Sequence, residues 1–193
     1  MVPWILLGYA MGSVPFAFLL ARRAGIDVRV AGSGNVGAAN VLRTTGTWRG
    51  VAVMALDVAK GAAAVLLVRL VTADPRYAAA AGFAAILGHV FPIFYGFRGG
   101  KGVATAVGAF LVLAPLATLV CVGVFVAVVA ATRYVSLGSI LGMVLLPPVA
   151  GSIFHASTPV VVAAAATAAL VVLKHRENLK RLIRGTERKL GQK

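Results

Sequence analysis

The 29 residues Val103–Ala131, VATAVGAFLVLAPLATLVCVGVFVAVVAA, carry no charge and a single proline, Pro115. They are longer than the ~20 apolar residues that cross a bilayer core. How they are read decides whether the chain crosses a membrane an even or an odd number of times. Five other apolar runs flank them: Val2–Ala21, Gly50–Ala73, Tyr77–Phe97, Tyr134–Phe154 and Thr158–Leu173. With one crossing at 103–131, both chain ends lie outside, and the eight Lys and Arg after Leu173 face outward, against the positive-inside rule. With a reversal near Leu113–Pro115 there are seven crossings, and Arg22, Arg23, Arg29, Arg43, Arg49, Arg98, Lys101, Arg133 and the tail lie inside. That places 16 of the 19 basic residues on one face. Two legs of roughly 14 residues reach only ~21 Å each, so one leg is short, or re-entrant and shielded by neighbouring helices. The charge distribution favours seven.

Composition agrees with a membrane class. Of 193 residues 60% are hydrophobic and 12% charged, with 19 basic against 5 acidic and a formal charge of +14. A soluble domain of this size cannot keep so much apolar surface out of water. A nucleic-acid binder of that charge is not built from Ala, Val, Leu and Gly, so no nucleic-acid partner is expected. The lone Cys121 lies in an apolar run and offers neither a disulfide nor a cysteine metal site. Five scattered acids and three separated histidines form no ligand cluster, so no metal or other cofactor is expected. The first run has no basic residues before it, and Arg22 and Arg23 follow it, which reads as a retained helix with its N-terminus outside rather than a signal peptide. The expected architecture is therefore an all-α integral membrane protein, a polytopic bundle of seven transmembrane helices with its C-terminus cytoplasmic. It is read as one domain over residues 1–193, with cytoplasmic loops 22–49 and 98–102 and a basic tail 174–193. The tail's Leu179, Leu182, Ile183 and Leu190 among basic residues suggest a helix lying on an anionic leaflet.

Three polar clusters fall on the cytoplasmic side of this topology. The first is Ser33-Gly34-Asn35-Val36-Gly37-Ala38-Ala39-Asn40, followed by Arg43. Its glycines and asparagines allow positive φ and amides turned toward an anion. Ser33 is placed to cap a helix starting near Asn35, and Arg43 to fork onto phosphate oxygens. The competing reading is a capped turn between two spans. The second cluster is Gly88-His89-Val90-Phe91-Pro92, then Arg98-Gly99-Gly100-Lys101-Gly102-Val103-Ala104-Thr105. Three glycines around a lysine at a helix start suit a phosphate cradle, or equally a tight turn with a snorkelling lysine. It is not a Walker A loop, because Tyr95 and Gly102 occupy the positions that need Gly and Ser or Thr. His89 is read as structural rather than as a proton shuttle.

The third cluster opens the tail: His175, Asn178, Arg181, Leu182, Gly185 and Glu187. Helical spacing puts His175, Asn178 and Leu182 near one face, where the last span leaves the membrane. A solvated basic helix is the competing reading. Asp57 and Lys60, at i and i+3 inside the second span, are expected to pair, as a structural ion pair or in contact with substrate. Ser136 and Ser139 are helix-packing hydroxyls or additional donors to the site. His155 falls on the opposite face and receives no role.

Read in order, Gly12-Ser13-Val14-Pro15-Phe16, the Ser33–Asn40 run, Gly88-His89-x-Phe91-Pro92, Gly99–Thr105 and His175-x-x-Asn178-x-x-Arg181-Leu182-x-x-Gly185-x-Glu187 resemble the PlsY family of bacterial acyl-phosphate:glycerol-3-phosphate acyltransferases. The resemblance runs from about residue 8 to residue 187, with no departure at a motif position. It implies a multi-pass inner-membrane enzyme with seven spans and cytoplasmic motifs. Such an enzyme moves a fatty acyl group from acyl phosphate to the 1-hydroxyl of glycerol 3-phosphate, giving lysophosphatidate in the first acylation of phospholipid synthesis. Its partners would be the two substrates and the bilayer, and no obligatory protein partner is evident.

By motif match Ser33, Lys101 and His175 are the catalytic candidates. Asn35, Gly37, Asn40, Arg43, Gly99, Gly100, Gly102, Thr105, Ser136, Asn178 and Arg181 are candidates for binding substrate. Ser33, Asn35 and Gly99–Gly102 are assigned to the donor phosphate and developing oxyanion, Lys101 and Arg43 to glycerol phosphate, His175 and Asn178 to its hydroxyls. The residues suit two anionic substrates, being rich in base and glycine and poor in carboxylate. The His-x4-Asp pair of acyl-CoA-dependent acyltransferases is absent, since Phe94, Val160 and Lys180 stand five positions after the three histidines. Direct attack of the hydroxyl on the activated acyl carbonyl is the expected route, with the donor phosphate or His175 taking the proton. A different class, a transporter or channel for an organic phosphate, needs polar residues near the midplane, where only Asp57 and Lys60 lie.

Overall fold

The computed structural model describes residues 1–191. Gln192 and Lys193, which end the expected tail, lie outside the described residues. Every regular element among the described residues is helical. The chain forms two compact units, Met1–Ala109 and Phe110–Lys193.

In the first unit the opening apolar run is two helices rather than one, α1 (Val2–Gly12) and α2 (Phe16–Arg22). Pro15 lacks an N–H and cannot continue the ladder, so the chain breaks at Ser13–Pro15. The Ser13 hydroxyl donates back to the Tyr9 carbonyl at 2.8 Å. The loop 22–49 is not loose. Val28 and Val36 join Phe18, Val41 and Val53 in a small apolar core that pins it to α2, α3 (Ala38–Thr45) and α4 (Thr47–Val71). Asp74 then caps α5 (Pro75–Val90), its side chain accepting the Arg76 N–H at 2.9 Å. A turn through Ile93–Tyr95 and the loop Arg98–Gly102 lead to α6 (Val103–Leu113), within which the boundary between the units falls.

These helices are apolar around most of their circumference, so burial from water cannot select their contact faces. Small residues do, by letting backbones touch. Cβ atoms on Gly8 and Gly12 of α1 would fall onto the carbonyls of Ala81 and Ala85 on α5. A Cβ on Gly61 of α4 would strike the Thr105 carbonyl of α6 in the same way. Leu66, Leu67, Leu70 and Val71 point outward and are exposed, as lipid-facing residues must be.

The second unit contains α7 (Pro115–Thr132), α8 (Val135–Pro148), a π-turn at Val149–Ile153 after the Pro147–Pro148 pair, α9 (Thr158–Lys174) and α10 (Arg176–Ile183). Gly138 and Gly142 of α8 lie against Phe125 and Cys121 of α7. A bend of 59° at His175 separates α9 from α10.

The 103–131 run is thus divided where proline suggested. Ala114, at φ −148° and ψ 70°, leaves the helical region, and Pro115 opens α7 in the first turn, where its missing N–H is harmless. Among the described residues five helical stretches are long and apolar enough to cross a bilayer: Val2–Arg22, Thr47–Val71, Pro75–Tyr95, Pro115–Thr132 and Val135–Ile153. Counting the bent pair α9–α10 as one span makes six, and α6 is a shorter apolar helix.

Two expectations are corrected. No helix starts at Asn35 under a Ser33 cap. Helix α3 begins at Ala38 after an extended Gly37, because Gly32 and Gly34, at φ +64° and +70°, keep the preceding segment turning. The tail is helical only through Ile183. Gly185, at φ +68°, turns the chain back, and the Leu190 N–H reaches the Arg133 carbonyl at 2.7 Å.

Candidate active site

Within the first unit the glycine loop is bound to the end of α5. The Gly99 N–H donates to the Val90 carbonyl and the Gly100 N–H to the His89 carbonyl, each at 3.2 Å. These carbonyls belong to the last turn of α5, where no later helical amide reaches them. Gly100 is wedged: a Cβ there would overlap the His89 imidazole Nε2 and stand 2.7 Å from the Val36 carbonyl. The structure therefore brings the first and second motifs together, with Val36 and Gly100 in backbone contact. Since the amides of Gly99 and Gly100 are engaged, the donors left to an anion are those of the first turn of α6, beside Lys101.

Beneath this loop lies a buried polar network. Lys60 Nζ stands 2.8 Å from Asp57 Oδ1, and His89 Nδ1 stands 3.5 Å from the same oxygen. Lys60 also donates to the Val14 carbonyl at 3.0 Å, in the break between α1 and α2. All three side chains are at least nine-tenths buried. The expected ion pair is present, and His89 joins it, linking α4 to the glycine loop through its ring. A cavity with room for about one water adjoins the network, lined by Ser13, His89 and Gly99 among others.

The first motif is held by Asn40. Its Nδ2 donates to the carbonyls of Val28 and Ala31 at 3.1 and 3.0 Å, and its Oδ1 accepts the Ser33 N–H at 2.9 Å. Asn40 is 1% exposed, and its amide groups hold the loop that presents Ser33, which is exposed, and Asn35, which is half-buried. Gly37 is the extended residue before α3, and Arg43 stands in that helix's last turn. Thr105 is fully buried, on the face of α6 that meets Gly61 of α4.

In the second unit the organiser is an acid. Glu187 Oε1 accepts the Ser136 hydroxyl at 2.8 Å and Asn178 Nδ2 at 2.6 Å, and Oε2 accepts Arg181 Nε at 2.7 Å. Three expected substrate contacts thus converge on one nearly buried carboxylate. Burial pushes the Glu187 carboxyl up, but the hydrogen bonds from Asn178, Arg181 and Ser136 outweigh it and hold the group below its usual range. His175 sits at the bend, 3% exposed, with Nδ1 2.8 Å from the Val171 carbonyl. A carbonyl only accepts, so Nδ1 carries the proton and Nε2 is the basic nitrogen of the neutral ring.

All five carboxylates of the sequence lie among the described residues, and each has a basic partner: Asp27 with Arg29, Asp57 with Lys60, Asp74 with Arg76, Glu177 with Lys180, Glu187 with Arg181. Among the described residues no group of three metal-ligating side chains assembles. Such an arrangement, with its carboxylates paired and its glycine loop beside Lys101, suits anions rather than metal ions.

Helical elements throughout the described residues, several of them long and apolar enough to cross a bilayer, define a multi-pass integral membrane protein. Residues 2–185 match the family model described as glycerol-3-phosphate acyltransferase. A protein of that name from Geobacter sulfurreducens is 48% identical over 94% of this chain and 93% of its own length. Another, from Shouchella clausii, is 46% identical over 100% and 97%. The crystal structure of PlsY (YgiH), an integral membrane glycerol 3-phosphate acyltransferase, in its glycerol 3-phosphate form, matches with a TM-score of 0.94 at 36% identity, covering 98% of this chain and 95% of that one. Its lysophosphatidic acid form gives 0.92. This chain belongs to the glycerol-3-phosphate acyltransferase family, and it is an acyltransferase.

Proposed function

We propose that the chain transfers a fatty acyl group from acyl phosphate to the 1-hydroxyl of sn-glycerol 3-phosphate, releasing phosphate and forming lysophosphatidate. The observation that carries this reading is the glycine loop at the start of α6, locked onto His89 and Val36 with Lys101 beside the first-turn amides. Such a loop neutralises a phosphate leaving group. In the transfer the hydroxyl oxygen forms the new ester bond as the acyl carbon–phosphate oxygen bond breaks, and the phosphate leaves with the pair of electrons. The donor's own phosphate takes the hydroxyl proton, with His175 Nε2 as the alternative acceptor. Every carboxylate is already paired, which favours a donor activated in advance over a carboxylate-assisted base.

Ser33, Lys101 and His175 are assigned to catalysis, Arg43 to the acceptor phosphate, and Asn35 and Gly102 to the donor phosphate. Asn40, Ser136 and Arg181 are assigned to positioning. The same reading places the enzyme in the bacterial inner membrane with seven crossings, N-terminus outside and motifs cytoplasmic. In it α7 is a full span, and the 11-residue α6 is a short or re-entrant leg shielded by neighbouring helices. The pairing of Asp57 with Lys60 argues against a transport path through the midplane.

Purified protein given palmitoyl phosphate and glycerol 3-phosphate is expected to form lysophosphatidate, and none from palmitoyl-CoA. Lys101→Ala and Ser33→Ala should each lower kcat/KM by about 100-fold or more. Absence of product from the acyl phosphate would overturn the reaction. Full activity in both variants would overturn the site and spare the reaction.

A further inference from the structure

Adjoining the glycine loop through Arg98, the first unit carries an open groove of about 580 Å³ lined by Phe18, Arg22, Arg29, Phe94, Tyr95, Gly96 and Arg98. Its floor is aromatic: the rings of Phe18 and Tyr95 lie 4.3 Å apart. Arginines stand over that floor. The Arg22 guanidinium is 5.6 Å from the Phe18 centroid, and that of Arg29 is 5.2 Å from Phe18 and 5.9 Å from Tyr95. Stacking of this kind fixes a guanidinium while leaving its N–H edge for a ligand.

The charge in the groove is not balanced internally. Asp27 grips Arg29 through both carboxylate oxygens, at 2.9, 3.1 and 2.6 Å. Arg22 and Arg98 make no salt bridge with a carboxylate among the described residues, and Asp27, held by Arg29, also acts on Arg22 from farther off, so three guanidinia stand against one carboxylate. That net excess of two positive charges in one groove suits a dianion. The rim is apolar as well: Ile93, Phe94 and Phe97, on the turn after α5, are 53%, 67% and 57% exposed. Aromatic and aliphatic side chains beside arginines, at the ends of spanning helices, belong to the headgroup boundary of a bilayer.

We propose that this groove binds the phosphate monoester headgroup of a lipid, whose acyl chain leaves past Ile93, Phe94 and Phe97 into the bilayer. The ligand class is an amphiphile with a terminal phosphate. A zwitterionic headgroup would set its own cation against Arg22 and Arg98, and free phosphate would leave the apolar rim unused. The proposed donor and product of the reaction both fall in this class, which makes the groove a waiting station outside the reaction site; in that respect it rests on the reading above, but binding is measured without turnover.

The test uses full-length protein in a neutral detergent and fluorescent lysophosphatidate, followed by anisotropy, with fluorescent lysophosphatidylcholine as the zwitterionic probe. Unlabelled lysophosphatidate and inorganic phosphate serve as competitors. Arg22→Gln with Arg98→Gln is expected to weaken lysophosphatidate binding by about tenfold or more, with lysophosphatidylcholine unchanged. Lys101→Ala and Arg69→Gln should retain the tight phase. Wild-type affinity in the double variant overturns the proposal, as does loss of the tight phase in Lys101→Ala. Displacement by inorganic phosphate at the concentrations where lysophosphatidate acts also overturns it, since the site would then take a free anion. A lysophosphatidate carrying a photoreactive group near its phosphate gives a second reading on unaltered protein. Labelling within 91–98 supports the groove, and labelling confined to 99–105 rejects it. If the double variant proves misfolded by its melting curve, the photolabelling result decides.

Discussion

At the scale of single residues, the glycine loop works because nothing stands between Gly100 and two neighbours, the His89 ring and the Val36 carbonyl. Gly100→Ala must push His89 toward Asp57 or lift the loop from α5. Displacements of that size at a reacting centre lower rates by about 100-fold, so kcat should fall by about that factor. Gly123→Ala, on α7 with nothing within 4 Å, is the control and should leave activity and melting temperature unchanged. Asp57 and Lys60 present a separate case. Asp57→Asn leaves a buried ammonium beside an amide and a carbonyl, which costs about 3–5 kcal/mol, whereas Asp57→Leu with Lys60→Leu should recover most of it. Unfolding in mixed micelles measures both, and a single variant as stable as the parent would refute a close ion pair.

At the scale of elements, the returning tail is the part whose stability should follow pH. Glu187 is lifted by burial, and its three hydrogen bonds more than offset the lift, so its folded pKa lies below the ordinary value of 4.5. A depressed carboxyl contributes stability that is fully present above its unfolded value and is lost as pH falls through its folded one. The prediction is therefore a tail steady from pH 7 to about 5 and loosening below about 4.5. Hydrogen exchange at the Thr186 and Leu190 amides, bonded to the Arg181 and Arg133 carbonyls, should show it once intrinsic rates are removed. Glu187→Gln should exchange faster than the parent above about pH 5 and lose the dependence.

Much of this element plan was legible in the sequence. The helix break at Pro115 announced itself because proline forbids an interior ladder bond, and the two glycine-containing motifs stood out against apolar neighbours. Other features were not legible, for physical reasons. The break at Ser13–Pro15 sits inside an apolar run that hydropathy treats as one span. Thr105 could not be turned inward on paper, because a helix apolar all round gives no period from which to read its buried face. Asn40 and Glu187 act through contacts 7 to 51 positions away along the chain, which spacing arguments do not reach.

At the scale of the whole molecule, the topology is the claim with the sharpest test. With Cys121, the one native thiol, replaced by Ala, single cysteines at Ala156 and Thr186 report opposite faces of the membrane. A membrane-impermeant maleimide added to intact cells should label Ala156→Cys and spare Thr186→Cys until the membrane is opened. With the N-terminus outside, the reverse pattern would mean six crossings. The α1–α5 contact carries a different consequence. Backbone touches backbone at Gly8 and Gly12, so no rotamers are frozen when the two helices meet, and no acyl chain can wedge between them. On that side of α1 the usable alphabet shrinks to the smallest residues. On the opposite side, where Leu6 lies open to lipid, any aliphatic residue serves. Sequence drift in this helix should therefore run in stripes, frozen along one flank and nearly free along the other.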